Sequence, residues 1–140
     1  MTKIISAGRQ LLFLVTIAVV ISSCWQSNEI YINFDKQLIC SANSEGIYRL
    51  YIKGDSDSYI LIWNDSDKNA PTQLGICPLT NGYVNEGFTD SIIHLKCIRL
   101  QKNKLYRIER AQGDASPFSI KVLTDENGKF SKLVADTLRK

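Results

Sequence analysis

Ile47-Tyr48-Arg49-Leu50-Tyr51-Ile52-Lys53 is the stretch that decides the fold class. Tyr48, Leu50 and Ile52 fall on one side of an extended chain, and Arg49, Tyr51 and Lys53 on the other. Successive side chains of a strand point to opposite faces, so this alternation predicts a strand with one face buried. The pattern repeats on both sides of it. Downstream, Ser58–Trp63 is dense in aromatic and β-branched residues, which pack well on a pleated surface. Upstream, Ile30, Ile32 and Phe34 share a face, and Asp35-Lys36 predicts a turn into Leu38-Ile39-Cys40.

Residues 91–98 place Ile93, Leu95 and Cys97 opposite His94 and Lys96. Further strands are predicted over residues 105–110, 118–122 and 129–133, the last after an Asn127-Gly128 hairpin signal. Residues 64–90 carry Pro71, Gly75, Pro78, Gly82 and Gly87, and read as a long loop with one short strand around Leu74-Gly75-Ile76-Cys77. No stretch has the period of an amphipathic helix. About eight or nine short strands with turn signals every 8–12 residues predict an all-β chain, a single antiparallel β-sandwich of immunoglobulin-like type.

The N-terminus reads differently. Lys3 and Arg9 precede an apolar run from Leu11 to Ile21, too short to span a bilayer comfortably, as expected of a secretory signal. Ile21-Ser22-Ser23-Cys24 resembles the bacterial lipobox. That resemblance implies cleavage before Cys24, acylation of Cys24 and a membrane anchor. Trp25, where an inner-membrane retention signal would carry Asp, favours the outer membrane. The expected organisation is a cleaved lipoprotein signal peptide over 1–23, a lipidated linker over 24–29, the sandwich over 30–134 and a polar tail over 135–140. The expected location is the periplasm.

Composition narrows the partners. The 140-residue chain carries a net charge of +3, which falls to +1 once Lys3 and Arg9 leave with the signal. A near-neutral domain has no strong electrostatic reason to bind nucleic acid. Cys40, Cys77 and Cys97 remain in a compartment where a disulfide is expected. Cys40 shares a face with Leu38, and Cys97 with Ile93 and Leu95; read as inward-facing, they predict a Cys40–Cys97 bridge between sheets. Cys40–Cys77 and Cys77–Cys97 stay open as alternatives.

Signals for chemistry are weak. His94 is the single histidine, and no GxSxG elbow accompanies it. Asp55-Ser56-Asp57 and Asn64-Asp65-Ser66-Asp67 hold oxygen donors, but without the central Gly and closing Glu of a calcium loop they read as turn-makers. The expectation is therefore no enzyme, no metal, no cofactor and no small-molecule substrate, but a protein that binds a protein. Arg49, Tyr51 and Lys53, sharing one strand face, are the candidate contact residues. Tyr31 and Tyr83 are expected at the surface, with Tyr83 a fourth candidate, and the 64–90 loop is a further one.

Four segments carry a likeness across the mature chain: Leu38-Ile39-Cys40, Tyr48-Arg49-Leu50-Tyr51, Leu95-Lys96-Cys97-Ile98-Arg99-Leu100 and Leu105-Tyr106-Arg107-Ile108, closed by Phe118-Ser119-Ile120 and Asn127-Gly128. In this order they resemble small enterobacterial lipoproteins of the type VI secretion immunity family. Cys77 and the loop around it depart from that pattern. The resemblance implies a periplasmic immunity protein whose partner is a delivered toxin; an envelope assembly or structural lipoprotein with an endogenous partner is the alternative.

Overall fold

The structure, a computed structural model, describes residues 26–87, 89 and 91–135. The signal segment, Cys24 and residues 136–140 lie outside the described residues. Ten strands are present among those described: β1 Ile30–Asn33, β2 Leu38–Ser41, β3 Arg49–Lys53, β4 Ser58–Trp63, β5 Gln73–Gly75, β6 Tyr83–Glu86, β7 Ile92–Ile93, β8 Leu105–Arg110, β9 Phe118–Thr124 and β10 Phe130–Val134. There is no helix among the described residues.

The strands form two antiparallel sheets, ordered β1-β2-β5 and β10-β9-β8-β3-β4-β6-β7. The chain is a β-sandwich. β3 is central to the larger sheet, pairing β4 on one side and β8 on the other. Its alternation does what the sequence predicts: Leu50 and Ile52 are fully buried while Lys53 is exposed. Across the sheet Ile52 stands opposite Ile108, and Ile108 opposite Ile120. Ile30, Ile32, Ile39 and Leu74 of the smaller sheet belong to the same buried cluster as Leu50, Ile52, Leu61, Ile108 and Val122. Each such aliphatic side chain contributes about 1.5–3 kcal/mol on burial.

The 64–90 region is more regular than its composition suggests. It supplies β5, an edge of the smaller sheet, and β6, which pairs β4 with Trp63 opposite Tyr83. β6 escapes a period-two reading because Tyr83 and Val84, adjacent in sequence, are both buried. Gly82 precedes it with a φ of 97°, and a Cβ there would collide with the Trp63 ring. The expected strand over 91–98 shrinks to Ile92–Ile93. Beyond it the backbone turns to the 76–79 segment: Leu79 N–H donates to Lys96 O (2.8 Å) and Ile98 N–H to Ile76 O (2.7 Å).

That pairing corrects the expected disulfide. Cys77 bonds Cys97, and Cys40 is a free, buried thiol. Cys40 does share a face with Leu38, but the core side of β2 belongs to Ile39, which is fully buried in the interlayer cluster. Cys40 lies across from half-exposed Tyr31 on the other side of the sheet, so it cannot reach through the core to Cys97. The Cys77–Cys97 bridge closes 20 residues, worth about 3 kcal/mol in the chain-entropy view.

Side-chain amides join the two sheets where no strand pairing does. Asn28 Nδ2 donates to the carbonyls of Gln112 (3.2 Å), Ala115 (3.1 Å) and Ser116 (3.1 Å), and its Oδ1 accepts from Gln112 N–H (3.2 Å). Gln37, at φ 55° in the β1–β2 turn, donates to Phe130 O (2.9 Å) and accepts from Phe130 N–H (2.7 Å). Fully buried Arg110 reaches from β8 to Ser41 Oγ (2.8 Å) and Gly46 O (3.1 Å), and its Nε has no hydrogen-bond partner among the described residues. Burial lowers the Arg110 pKa from its ordinary value.

Two outcomes follow from these ties. Peptide mapping without reduction recovers a Cys77–Cys97 linked pair and an unpaired Cys40 that alkylates only after unfolding; a Cys40–Cys97 peptide would refute the assignment. Asn28→Ala lowers stability by about 2–3 kcal/mol in urea denaturation, because it strands buried backbone groups; a loss under about 0.5 kcal/mol would show that water replaces the amide.

Candidate interaction face

One face of the seven-stranded sheet packs on the core, and the opposite face is open. Register places on that open face Arg49, Tyr51 and Lys53 of β3, opposite Ile62, Ile60 and Ser58 of β4. On the other side of β3, Tyr51 faces Glu109 and Lys53 faces Arg107. The sequence alternation thus holds: three of the four candidate contact residues stand together on one accessible surface.

Their chemistry is coupled. The Arg49 guanidinium donates through Nη1 to the Tyr51 hydroxyl (3.3 Å) and through Nη2 to Glu86 Oε2 (3.4 Å). Glu86 stands on β6, beyond β4, so Arg49 bridges the apolar floor made by Ile60 and Ile62. The pair is part-exposed, which keeps its net worth under about 1 kcal/mol but orients both the guanidinium and the phenol. Beside it runs a cleft of about 440 Å³ between Tyr51, Lys53, Ile60, Glu86 and Ile93. Its rim is the two-residue edge strand β7, where Ile92 and Ile93 are 55% and 43% exposed. Apolar side chains held at a sheet edge beside a part-apolar cleft suit contact with another protein. Neither Glu86 nor the β7 isoleucines stood out in the sequence, because only strand register brings them to β3.

The fourth candidate is corrected. Tyr83 is 5% exposed and points inward: its hydroxyl donates to Ile47 O (2.6 Å) and its ring meets Trp63 edge-on with centroids 5.2 Å apart. Desolvation raises its phenol pKa. On β6 it stands opposite Trp63, which shares the core-facing side of β4 with Leu61, and this removes it from the open face. Tyr31 is half-exposed as expected, but on the other sheet.

The remaining sequence candidates lie elsewhere. His94 is exposed just after β7, with no hydrogen-bond or ion-pair partner among the described residues. In the two acidic clusters, Asp65 Oδ1 accepts from Asp67 N–H (3.1 Å) and its carboxylate pairs with Lys68 (3.8 Å). Asp57 accepts from the buried Tyr106 hydroxyl at 2.7 and 3.0 Å. Among the described residues no three His, Cys, Asp or Glu side chains converge as metal ligands. No protein-family model, curated protein or solved structure matches the chain.

Tyr106 gives this region a pH signature. Burial, reinforced by Asp57, pushes its phenol up from 10.0 to about 12, with the Gln101 amide acting in the opposite sense. A pKa raised on folding means that the unfolded chain releases its proton first, so stability is full below pH 10 and falls as pH rises toward 12. Urea midpoints measured at pH 9 and 11 fall for the wild type and fall less for Tyr106→Phe; equal slopes would remove Tyr106 as a source of the loss.

Proposed function

We propose that this chain is a periplasmic lipoprotein that binds another protein through the open face around Arg49, Tyr51 and Lys53. We assign it as an immunity protein that neutralises a toxin delivered by type VI secretion. The observation that carries the binding reading is the coupled Arg49–Tyr51–Glu86 constellation over an apolar floor, beside a cleft edged by exposed isoleucines. Aromatic and arginine side chains of this kind are the residues that most often anchor interfaces. The Cys77–Cys97 bridge supports an oxidising compartment, in keeping with the signal segment and Cys24.

The immunity assignment draws on the sequence likeness and on the anchor, which concentrates the protein where such a toxin arrives. Acylation at Cys24 supplies about 0.8 kcal/mol per buried methylene, so more than one chain gives durable attachment. Inhibition here is by occupation: a rigid sheet face covers the toxin's working surface and needs no chemistry of its own.

Co-expression with a toxin encoded by a neighbouring gene is the test: the immunity assignment expects growth to be restored when that toxin is directed to the periplasm, and continued killing would overturn it. Arg49→Ala with Tyr51→Ala weakens the complex at least tenfold, the loss of one interface anchor or more. Capture of only a housekeeping envelope component by the wild-type chain, with no protection, would transfer the assignment to an assembly or structural lipoprotein.

A further inference from the structure

The larger sheet ends in β7 on one side and β10 on the other. β10 is the longer edge, and its free side can be read bond by bond. Successive residues of a paired antiparallel strand turn their N–H and C=O to opposite sides. Thr124 N–H donates to Lys104 O (2.9 Å), so Thr124 turns toward the β8 side. Leu123 then turns toward β10, and Val122 back toward β8. Lys132 stands opposite Leu123, Leu133 opposite Val122 and Val134 opposite Lys121. Lys132 and Val134 therefore bond β9, and Leu133 turns its N–H and C=O away from the sheet. Phe130, opposite Thr124, obeys the same rule. Its N–H donates to Gln37 Oε1 (2.7 Å), and its carbonyl accepts from Gln37 Nε2 (2.9 Å). Gln37 stands in for a neighbouring strand at the start of β10. At Leu133 no group among the described residues takes that place.

The side chains tell the same story. Opposite residues of an antiparallel pair share a face. Val122 is fully buried, so Leu133 belongs to the inner side of the sheet, yet it is 52% exposed. Lys132 and Val134 belong to the outer side. The register irregularity between Phe130 and Lys132 blunts only the beginning of the edge. An apolar residue beside unpaired backbone is a template for another strand.

We propose that β10 pairs antiparallel with β10 of a second copy of this chain, the two Leu133 residues facing each other on a two-fold axis. Self-complementarity selects the occupant. In this register the two leucines exchange N–H···O=C bonds, and their side chains meet on the inner face. Lys132 of each copy faces Val134 of the other, and Ser131 faces Ala135. Centring the axis on Lys132 would instead set two ammonium groups opposite each other, which weakens a sheet. Centring on Leu133 covers both leucines and opposes no like charges. The contact rests on backbone bonds more than on area, so the dimer is reversible. It is independent of the face around Arg49 and Tyr51. It leaves that face free in both copies, on the same side of one continuous sheet.

The test is sedimentation of the full chain in a non-ionic detergent from about 1 µM to about 1 mM, the range in which small interfaces associate. The expected result is a monomer–dimer equilibrium. Leu133→Lys sets two cations across the axis, and Leu133→Pro removes the outward N–H without touching a bond to β9. Each weakens the dimer at least tenfold, with thermal melts confirming the fold. Should Leu133→Pro unfold, Leu133→Lys, an exchange at an exposed side chain, keeps the test decisive. Lys132→Cys combined with Val134→Cys reads the register. Opposite residues that exchange no backbone bonds stand about 4.5 Å apart at Cα, so mild oxidation links the two copies. Lys132→Cys alone and Val134→Cys alone stay unlinked. A full chain that remains monomeric throughout overturns the proposal, including the case in which residues 136–140 occupy the edge. A dimer indifferent to both Leu133 variants overturns it too, as does linkage through a single cysteine and not through the pair.

Discussion

The sandwich depends on joining a very small sheet to a large one. Strands of four, four and three residues cannot cover seven strands by themselves. The interlayer isoleucines and leucines supply attraction, but that attraction has no direction and does not set how the layers close. Direction comes from side-chain amides acting as backbone. Gln37 offers Phe130 a donor and an acceptor, as a neighbouring strand would. Asn28 does the same for the segment between β8 and β9. Arg110 completes the set from within the core, holding Ser41 of the small sheet and Gly46 before β3.

The larger sheet then becomes a platform with two unlike surfaces. Its inner surface is spent on the core, with Leu50, Ile52, Ile108 and Val122 inaccessible to solvent. The outer surface inherits whatever the alternate positions carry, and these are tyrosine, isoleucine, arginine and lysine. The disulfide works at a distance from this platform. By tying the 76–79 segment to residues 96–98 it fixes the chain that follows β7, the edge bordering the cleft.

What could be read before folding tracks the range of the physics involved. β3 and β9 were legible because a half-buried strand imposes period two on its own residues, and β4 because its aromatic and β-branched residues suit a pleated surface. The face of Arg49, Tyr51 and Lys53 came with β3. Cys40 shows where this reasoning stops. Alternation pairs it with Leu38, but Leu38-Ile39-Cys40 is apolar throughout, so the pattern does not say which parity faces inward. Tyr83 failed for a related reason: residue type suggests a surface tyrosine, while its inward place depends on β6 pairing with β4 at Trp63. The adjacency of Lys53 on β3, Arg107 on β8 and Lys121 on β9 was invisible because these residues become neighbours only through two inter-strand registers.

Asn28 has one more consequence, for geometry at the bilayer. Four peptide units separate it from Cys24, and a fully stretched chain covers at most about 14 Å over that span. With Cys24 acylated as proposed, the leash is shorter than the thickness of the headgroup region and the domain together. The body would ride close to the lipid surface with restricted tumbling, and a visiting protein would have to approach it from the aqueous side.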